Sequence, residues 1–319
     1  MKIRRTIAHL AGFLAAASLV GVAAVPEVGF ASLVGVGAEA GDSAYRAGVE
    51  KWRQDYEASL KADGGWLSIC GLFWLNDGDN RFGSDPLNSI VLPAASAPPD
   101  AGTFELRAGK VIVHVKPGVA ATLEGKPVET SEMPPDSAPD SKKVQLVLGD
   151  ITLQVHASGG RFAIRVRDKN CRLRREFTGL RWFAVDESYR VTARFTPYDP
   201  PKNVELQNLA GDTVKLTSPG YVEFSLHGAA FRLEGFLDDP HKANLFLVFR
   251  DLTSSAETYP AARFLDTDAP VDGSVVLDFN KSYNPPCAYN PYTTCPVPPI
   301  ANRLRTRIEA GEKRYTGPH

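Results

Sequence analysis

From Trp66 to Phe279 the sequence is a succession of short apolar segments divided by Gly, Pro, Asp and Asn, and this punctuation restricts the fold more than any other feature. Residues two apart along an extended chain share a face, so period-two alternation marks half-buried strands. Such segments occur at Val144–Leu148, Ile151–Val155, Arg161–Arg167, Tyr189–Phe195 and Thr213–Leu216. They continue at Tyr221–Leu226, Ala230–Phe236, Asn244–Arg250 and Ser274–Phe279. Phe104–Leu106 and Val111–Val115, joined through Ala108-Gly109, read as a hairpin. Many short antiparallel strands predict an all-β sandwich or barrel, and the lack of strand–helix alternation excludes a nucleotide-binding parallel sheet. With 43% hydrophobic residues, 16 Phe and 10 Tyr, the chain has enough apolar bulk to fill such a core.

One helix precedes the strands. Tyr45, Val49, Trp52, Tyr56 and Leu60 recur at steps of three and four, with Glu50, Gln54 and Lys61 opposite, and Gly64-Gly65 supplies the stop. We place the helical segment within 41–65. A β-sandwich is then expected over 66–135 and a larger antiparallel β-barrel or sandwich over 136–319, with the proline-rich stretch 131–141 between them. The run Tyr283–Pro299 is too rich in proline for a central strand and should form an ordered irregular segment.

Residues 1–40 read as an export signal. Lys2, Arg4 and Arg5 are followed by an uncharged stretch to Glu27, and Ala38-Glu39-Ala40 presents small residues for cleavage before Gly41. Gly29-Phe30-Ala31 is a second candidate for cleavage, and an uncleaved anchoring helix is the rival reading. No other stretch suggests a membrane span. The expected location is periplasmic or secreted. There Cys287 and Cys295, close in sequence and flanked by prolines, suggest a small disulfide loop, while Cys70 and Cys171 leave bridge and free thiols equally open. No Cys or His pair has zinc-ligand spacing, so no metal or other cofactor is expected. Charges nearly cancel, 36 Lys and Arg against 37 Asp and Glu, which disfavours a nucleic-acid partner. Arg161, Arg165 and Arg167 are expected on a solvated strand face. His114, His156, His227 and His241 are scattered singly.

The segment Asp278-Phe279-Asn280-Lys281-Ser282-Tyr283-Asn284-Pro285-Pro286-Cys287, followed by Cys295-Pro296-Val297-Pro298-Pro299, Asn302-Arg303-Leu304 and Ala310-Gly311-Glu312, resembles the domain of unknown function 1684 family. Gly71-Leu72-Phe73-Trp74-Leu75 with Asn80-Arg81-Phe82-Gly83-Ser84 resembles its other marker. The likeness spans residues 66–312 and implies no known activity. Residues 66–130 are more weakly similar to forkhead-associated sandwiches. The phosphothreonine-reading positions of those domains are occupied here by Gly83-Ser84 and by Pro98-Pro99-Asp100-Ala101, which argues against phosphopeptide binding.

No Gly-x-Ser-x-Gly, phosphate-binding Gly-rich loop or His-Glu-x-x-His occurs. Polar residues concentrate instead over 250–302. Asp251, Glu257, Tyr259, Arg263, Asp278, Asn280, Tyr283, Asn284 and Asn302 form the candidate ligand or catalytic set. In a shared pocket, Asp251, Glu257 or Asp278 would act as base or orient a ligand, Arg263 would hold an anion, and Tyr283, Tyr289 and Tyr292 would offer a stacking rim. Alternatively, the same residues pair with each other and satisfy the irregular backbone. The functional expectation is a cell-envelope protein binding a small or sugar-like ligand in its C-terminal β domain. An exported hydrolase using carboxylates of residues 251–278 and a structural or protein-interaction module are the alternatives.

Overall fold

A computed structural model describes residues 34–319 apart from Ala95, residues 139–143 and Pro240, with side chains from Asp42 onward. Of residues 1–40, the segment expected to act as an export signal, the first 33 lie outside the described residues. Ser43–His319 forms one compact unit, and it is predominantly β.

Helix α1 (Val34–Lys61) begins earlier than its apolar stripe requires. Within the compact unit Val49 and Leu60 are buried and Trp52 and Tyr56 half-buried, while Glu50, Lys51, Gln54 and Asp55 face solvent. The stripe therefore works as read, with one addition. Arg53 is also buried; it donates to Glu50 at 3.0 Å and lies 4.9 Å from the Trp182 ring.

The first β module is a sandwich. One sheet runs β3 (Ile90–Val91), β2 (Gly78–Gly83), β4 (Gly102–Arg107), β5 (Lys110–Val115) and β8 (Thr130–Glu132). The other runs β1 (Ile69–Trp74), β11 (Arg161–Asp168), β10 (Ile151–Ser158), β9 (Leu146–Leu148), β6 (Thr122–Leu123) and β7 (Lys126–Pro127). Phe82, Phe104 and Val113 from the first sheet meet Leu153, Val155 and Ile164 from the second in one apolar core. The sandwich thus takes strands from both sides of the 131–141 stretch. Strand β1 is also far from its partner in sequence: Leu72 pairs with Arg165 and Phe73 with Ile164. Arg165 on β11 is buried at 7% exposure, donating to Asp136 and lying beside His156, whose other ring nitrogen meets Thr294 of the proline-rich segment. This corrects the expectation of a fully solvated arginine face.

The second module is a single curled sheet in the order β16 (Arg263–Asp266), β15 (Phe246–Phe249), β14 (Ala229–Leu237), β13 (Thr213–Leu226), β12 (Arg190–Gln207) and β17 (Ser274–Asp278). Its inner face carries Ala193, Val222, Phe224, Leu233, Leu247, Leu265 and Leu277, closed by Leu304, Ile308 and Ala310 from the irregular C-terminal chain. The four-residue α2 (Arg172–Arg175) follows the sandwich. Strand β17 ends at Asp278, so Asn280 lies in a 3₁₀ turn (Phe279–Lys281) rather than on the strand. Asp278 caps that turn, and the two side chains still meet, 3.3 Å apart.

Candidate functional site

The C-terminal signature is built around two buried charges. Arg263 is fully buried and donates through Nη1 to Asp251 Oδ2 at 3.0 Å and to the Ile308 carbonyl at 2.9 Å, and through Nη2 to the Ala310 carbonyl. Asp251 Oδ2 also accepts from the Ile308 N–H at 2.7 Å, and Oδ1 accepts from the Thr253 backbone and hydroxyl. Burial pulls the Arg263 pKa down, and the adjacent Asp251 opposes that pull. A buried ion pair persists when such additional bonds satisfy its remaining donors and acceptors.

Glu312 is the second charge; it belongs to the Ala310-Gly311-Glu312 signature but not to the candidate ligand or catalytic set. It accepts from the Asn284 N–H at 2.8 Å, from Asn284 Nδ2 at 2.7 Å and from the Tyr289 hydroxyl at 2.6 Å. Burial pushes its carboxyl up to about 7 against these bonds. Gly311 makes this path possible. Its φ is +79°, and a Cβ there would stand 2.5 Å from the Ser282 carbonyl oxygen.

The remaining candidates divide by place. Asn280 accepts from the Asp186 N–H and donates to the Asp186 carbonyl and to Tyr45, whose hydroxyl donates to Asp278 at 2.8 Å. Asn302 donates to the Glu234 and Val248 carbonyls and accepts from the Glu234 N–H, tying the C-terminal chain to β14 and β15. Tyr259 donates to the Cys287 carbonyl, and Tyr283 donates to Asp266 at 2.7 Å. Glu257 stands apart near the surface, paired with Arg307. Asp251 and Arg263 are thus brought together; Asp278 and Asn280 form another group, and Glu257 joins neither. Tyr289 is fully buried, which removes it from any exposed rim. Tyr283 packs instead with Trp52 and Tyr56, at ring separations of 6.5 and 5.0 Å. Cys287 and Cys295 are adjacent free thiols, the Cys287 N–H donating to Cys295 Sγ at 3.3 Å.

Two further constellations came together only in three dimensions. His156 Nδ1 lies 2.7 Å from Asp136 Oδ2 and its Nε2 lies 3.0 Å from Thr294 Oγ1. Arg165 Nη1 also donates to Asp136 Oδ2 at 3.0 Å, and Nη2 stands 3.0 Å from His156 Nδ1. Nδ1 thus faces both a carboxylate, which calls for a proton on it, and an Arg165 N–H, which calls for a lone pair. Burial raises the Asp136 pKa, but the bonds and charges of His156 and Arg165 outweigh it and hold the carboxyl low.

The other constellation is the outer face of the second sheet. Strand register aligns Ser274, Arg194, Glu223 and Arg232 across β17, β12, β13 and β14, with Tyr221 opposite Glu234 in the next row. Arg232 lies 3.4 Å from the Tyr221 ring centroid and donates to the Tyr198 hydroxyl. Arg194 and Glu223 are exposed, and neither makes an ion pair or side-chain hydrogen bond with another described residue. A shallow cavity of about 820 Å³ lies over this face. Period two in 190–195 and 221–234 predicts the outward charges, but only strand order places them in one row.

The family model for the protein of unknown function (DUF1684) matches residues 175–313. An uncharacterized protein of Haloarcula marismortui, solved by solution NMR, is 35% identical over 44% of this chain and 78% of its own, with a TM-score of 0.38. The chain belongs to the DUF1684 family. The segment 278–312 lies within the matched residues, whereas the Gly71–Ser84 marker precedes them. An FHA domain solved in a study of phosphothreonine-dependent interactions is 14% identical over 30% of this chain and 92% of its own, with a TM-score of 0.22. No curated protein matches the chain. Among the described residues no helix is long and apolar enough to cross a membrane, and no cluster of His, Cys, Asp and Glu could hold a metal ion.

Proposed function

We propose that this chain is an exported cell-envelope protein that binds a sugar-like, acidic ligand on the outer face of its C-terminal sheet. The observation carrying this reading is the contrast between two polar surfaces. Donors and acceptors of the signature residues are largely consumed by one another and by backbone, whereas Arg194 and Glu223 keep theirs beside the half-buried Tyr221. Arginine recognises carboxylates with paired, directional bonds, and the stack of Arg232 on Tyr221 holds one guanidinium in place for a uronic-acid carboxylate. The signal-like residues 1–40 and the clustered cysteines support an oxidising destination, where Cys287 and Cys295 would close a small disulfide loop. In a calorimetric titration with an oligosaccharide of hexuronic acids, Arg194→Ala/Arg232→Ala should weaken binding about tenfold or more. Equal affinity of that variant and the parent chain would contradict the placement.

A second reading, an exported hydrolase, is favoured by Asp136, His156 and Thr294 rather than by carboxylates of residues 251–278. Their connectivity is that of an acyl-transfer site: His156 Nε2 could take the Thr294 proton while Asp136 orients the ring. If this reading holds, Thr294→Ala abolishes p-nitrophenyl acetate turnover without changing the melting temperature. Unchanged turnover removes Thr294 as nucleophile.

A further inference from the structure

The four cysteines fall in two apolar clusters, Cys70 with Cys171 in one and Cys287 with Cys295 in another. Cys70 packs against the apolar cluster that holds Cys171, and the Cys287 N–H donates to Cys295 Sγ at 3.3 Å. Cys171 Sγ also lies 3.5 Å from the carbonyl of Ile69, the residue before Cys70. Both Cys70 and Cys171 belong to the apolar cluster of Leu60, Leu67, Leu173 and Tyr289, where α1, the sandwich and the proline-rich segment meet. Their position in the topology is specific. Cys70 lies in the first strand of the sandwich, and Cys171 follows the last, β11, which pairs directly with β1.

We propose that Cys70 and Cys171 form a disulfide that clasps the sandwich at its root, closing a single covalent ring around every strand from β1 to β11. The inference rests on the export reading for where the bond would form, and it extends that reading beyond the Cys287–Cys295 loop. The chemistry is thiol–disulfide exchange with a disulfide donor such as oxidised glutathione or an oxidised dithiol protein. One cysteine thiolate attacks the donor, releasing one donor thiolate and leaving a mixed disulfide. The second cysteine, as thiolate, then attacks the protein sulfur and expels the other donor thiolate. The protein loses two electrons and two protons, and the donor is reduced to two thiols.

Contact with the Cys70 thiol, opposed by burial, brings the Cys171 pKa down to about 7, which favours the thiolate that exchange needs. Cys171 is only 4% exposed, so the exchange belongs to the folding chain rather than to the finished fold. A clasp around a ring of this length removes more freedom from the unfolded chain than a short loop does.

The test is refolding of residues 41–319 with reduced and oxidised glutathione, followed by non-reducing peptide mapping. The expected map links the Cys70 peptide to the Cys171 peptide and the Cys287 peptide to the Cys295 peptide. Reduction should lower the melting temperature by roughly 10 °C, and Cys70→Ser/Cys171→Ser should remove most of that drop. Should the double variant fail to fold, thiol counting on the denatured, alkylated parent chain decides by itself. Free thiols at Cys70 and Cys171, or a bond from either to Cys287 or Cys295, would overturn the proposal. Fractionation of cells with N-terminal sequencing is read separately. A chain that forms both links in vitro yet stays cytosolic with Met1 in place would sink the export reading and leave the clasp standing.

Discussion

Arg263→Met should destabilise the protein by about 3–5 kcal/mol, seen as a large fall in the urea midpoint at unchanged slope. Methionine fills much of the volume but leaves Asp251 as an uncompensated buried carboxylate. The Ile308 and Ala310 carbonyls lose their donor at the same time. These carbonyls belong to the irregular chain that closes the second core, so the loss reaches Leu304, Ile308 and Ala310 as well. Arg307→Met is the matched control. Arg307 also pairs with a carboxylate, Glu257, but at the surface, where water screens the interaction, and its midpoint should stay where it is. A similar response from the two variants would mean that the Arg263 pair is not the keystone described.

Glu312 should make stability fall with rising pH. Its pKa is about 7 in the folded state against an ordinary value of 4.5, because burial disfavours the charged form. Below pH 4.5 folded and unfolded chains are both protonated at this position, and the group exerts no pH effect. Between 4.5 and 7 the unfolded chain ionises while the folded chain holds its proton, so folding becomes progressively less favourable. Above 7 both are ionised and the difference levels off at about 3 kcal/mol. Glu312→Gln has no proton to lose. Parent and variant stabilities, compared by urea unfolding from pH 4 to 8, should therefore diverge in the variant's favour across that window by up to this amount. The groups facing Glu312 are Tyr289, Tyr56, Asn284 and, through its charge, Arg263, and all remain in the variant. Parallel pH profiles would show that the buried carboxylate titrates at its ordinary value.

The β character was legible because alternation survives wherever one face of a strand meets a core. Val111–Val115, Arg161–Arg167 and Tyr221–Leu226 all alternate and all form strands. The helix was legible for the same reason, from one apolar stripe. Long-range pairing was not. Nothing in the run from Ile69 to Trp74 announces that its partner is β11, and this pairing brings Cys70 into the cluster that holds Cys171.

The signature was easy to find and harder to interpret. Asp, Asn, Arg and Tyr serve a ligand and an irregular backbone with the same hydrogen bonds. Only the observed partners show Asn280 holding the backbone of Asp186 and Asn302 holding that of Glu234 and Val248. Glu312 was legible only as part of the family signature and not as a site residue, because a single carboxylate near the chain end shows no partner in sequence, although Gly311 before it takes a conformation that favours glycine. The Arg194–Glu223–Arg232 row was invisible for a different reason: it depends on register across three strands, which no local pattern encodes.

The central claim is that signature residues hold the fold while ligand recognition belongs to the outer sheet face. Calorimetric titration of the hexuronic-acid oligosaccharide into the parent chain, Asp278→Asn and Arg194→Ala/Arg232→Ala tests it most directly. Asparagine at 278 can still accept from the Tyr45 hydroxyl and the Asn280 N–H, so the fold should be kept. The account predicts parental affinity for Asp278→Asn and a loss of about tenfold or more for the arginine pair. Lost affinity in Asp278→Asn with undiminished binding by Arg194→Ala/Arg232→Ala would contradict it.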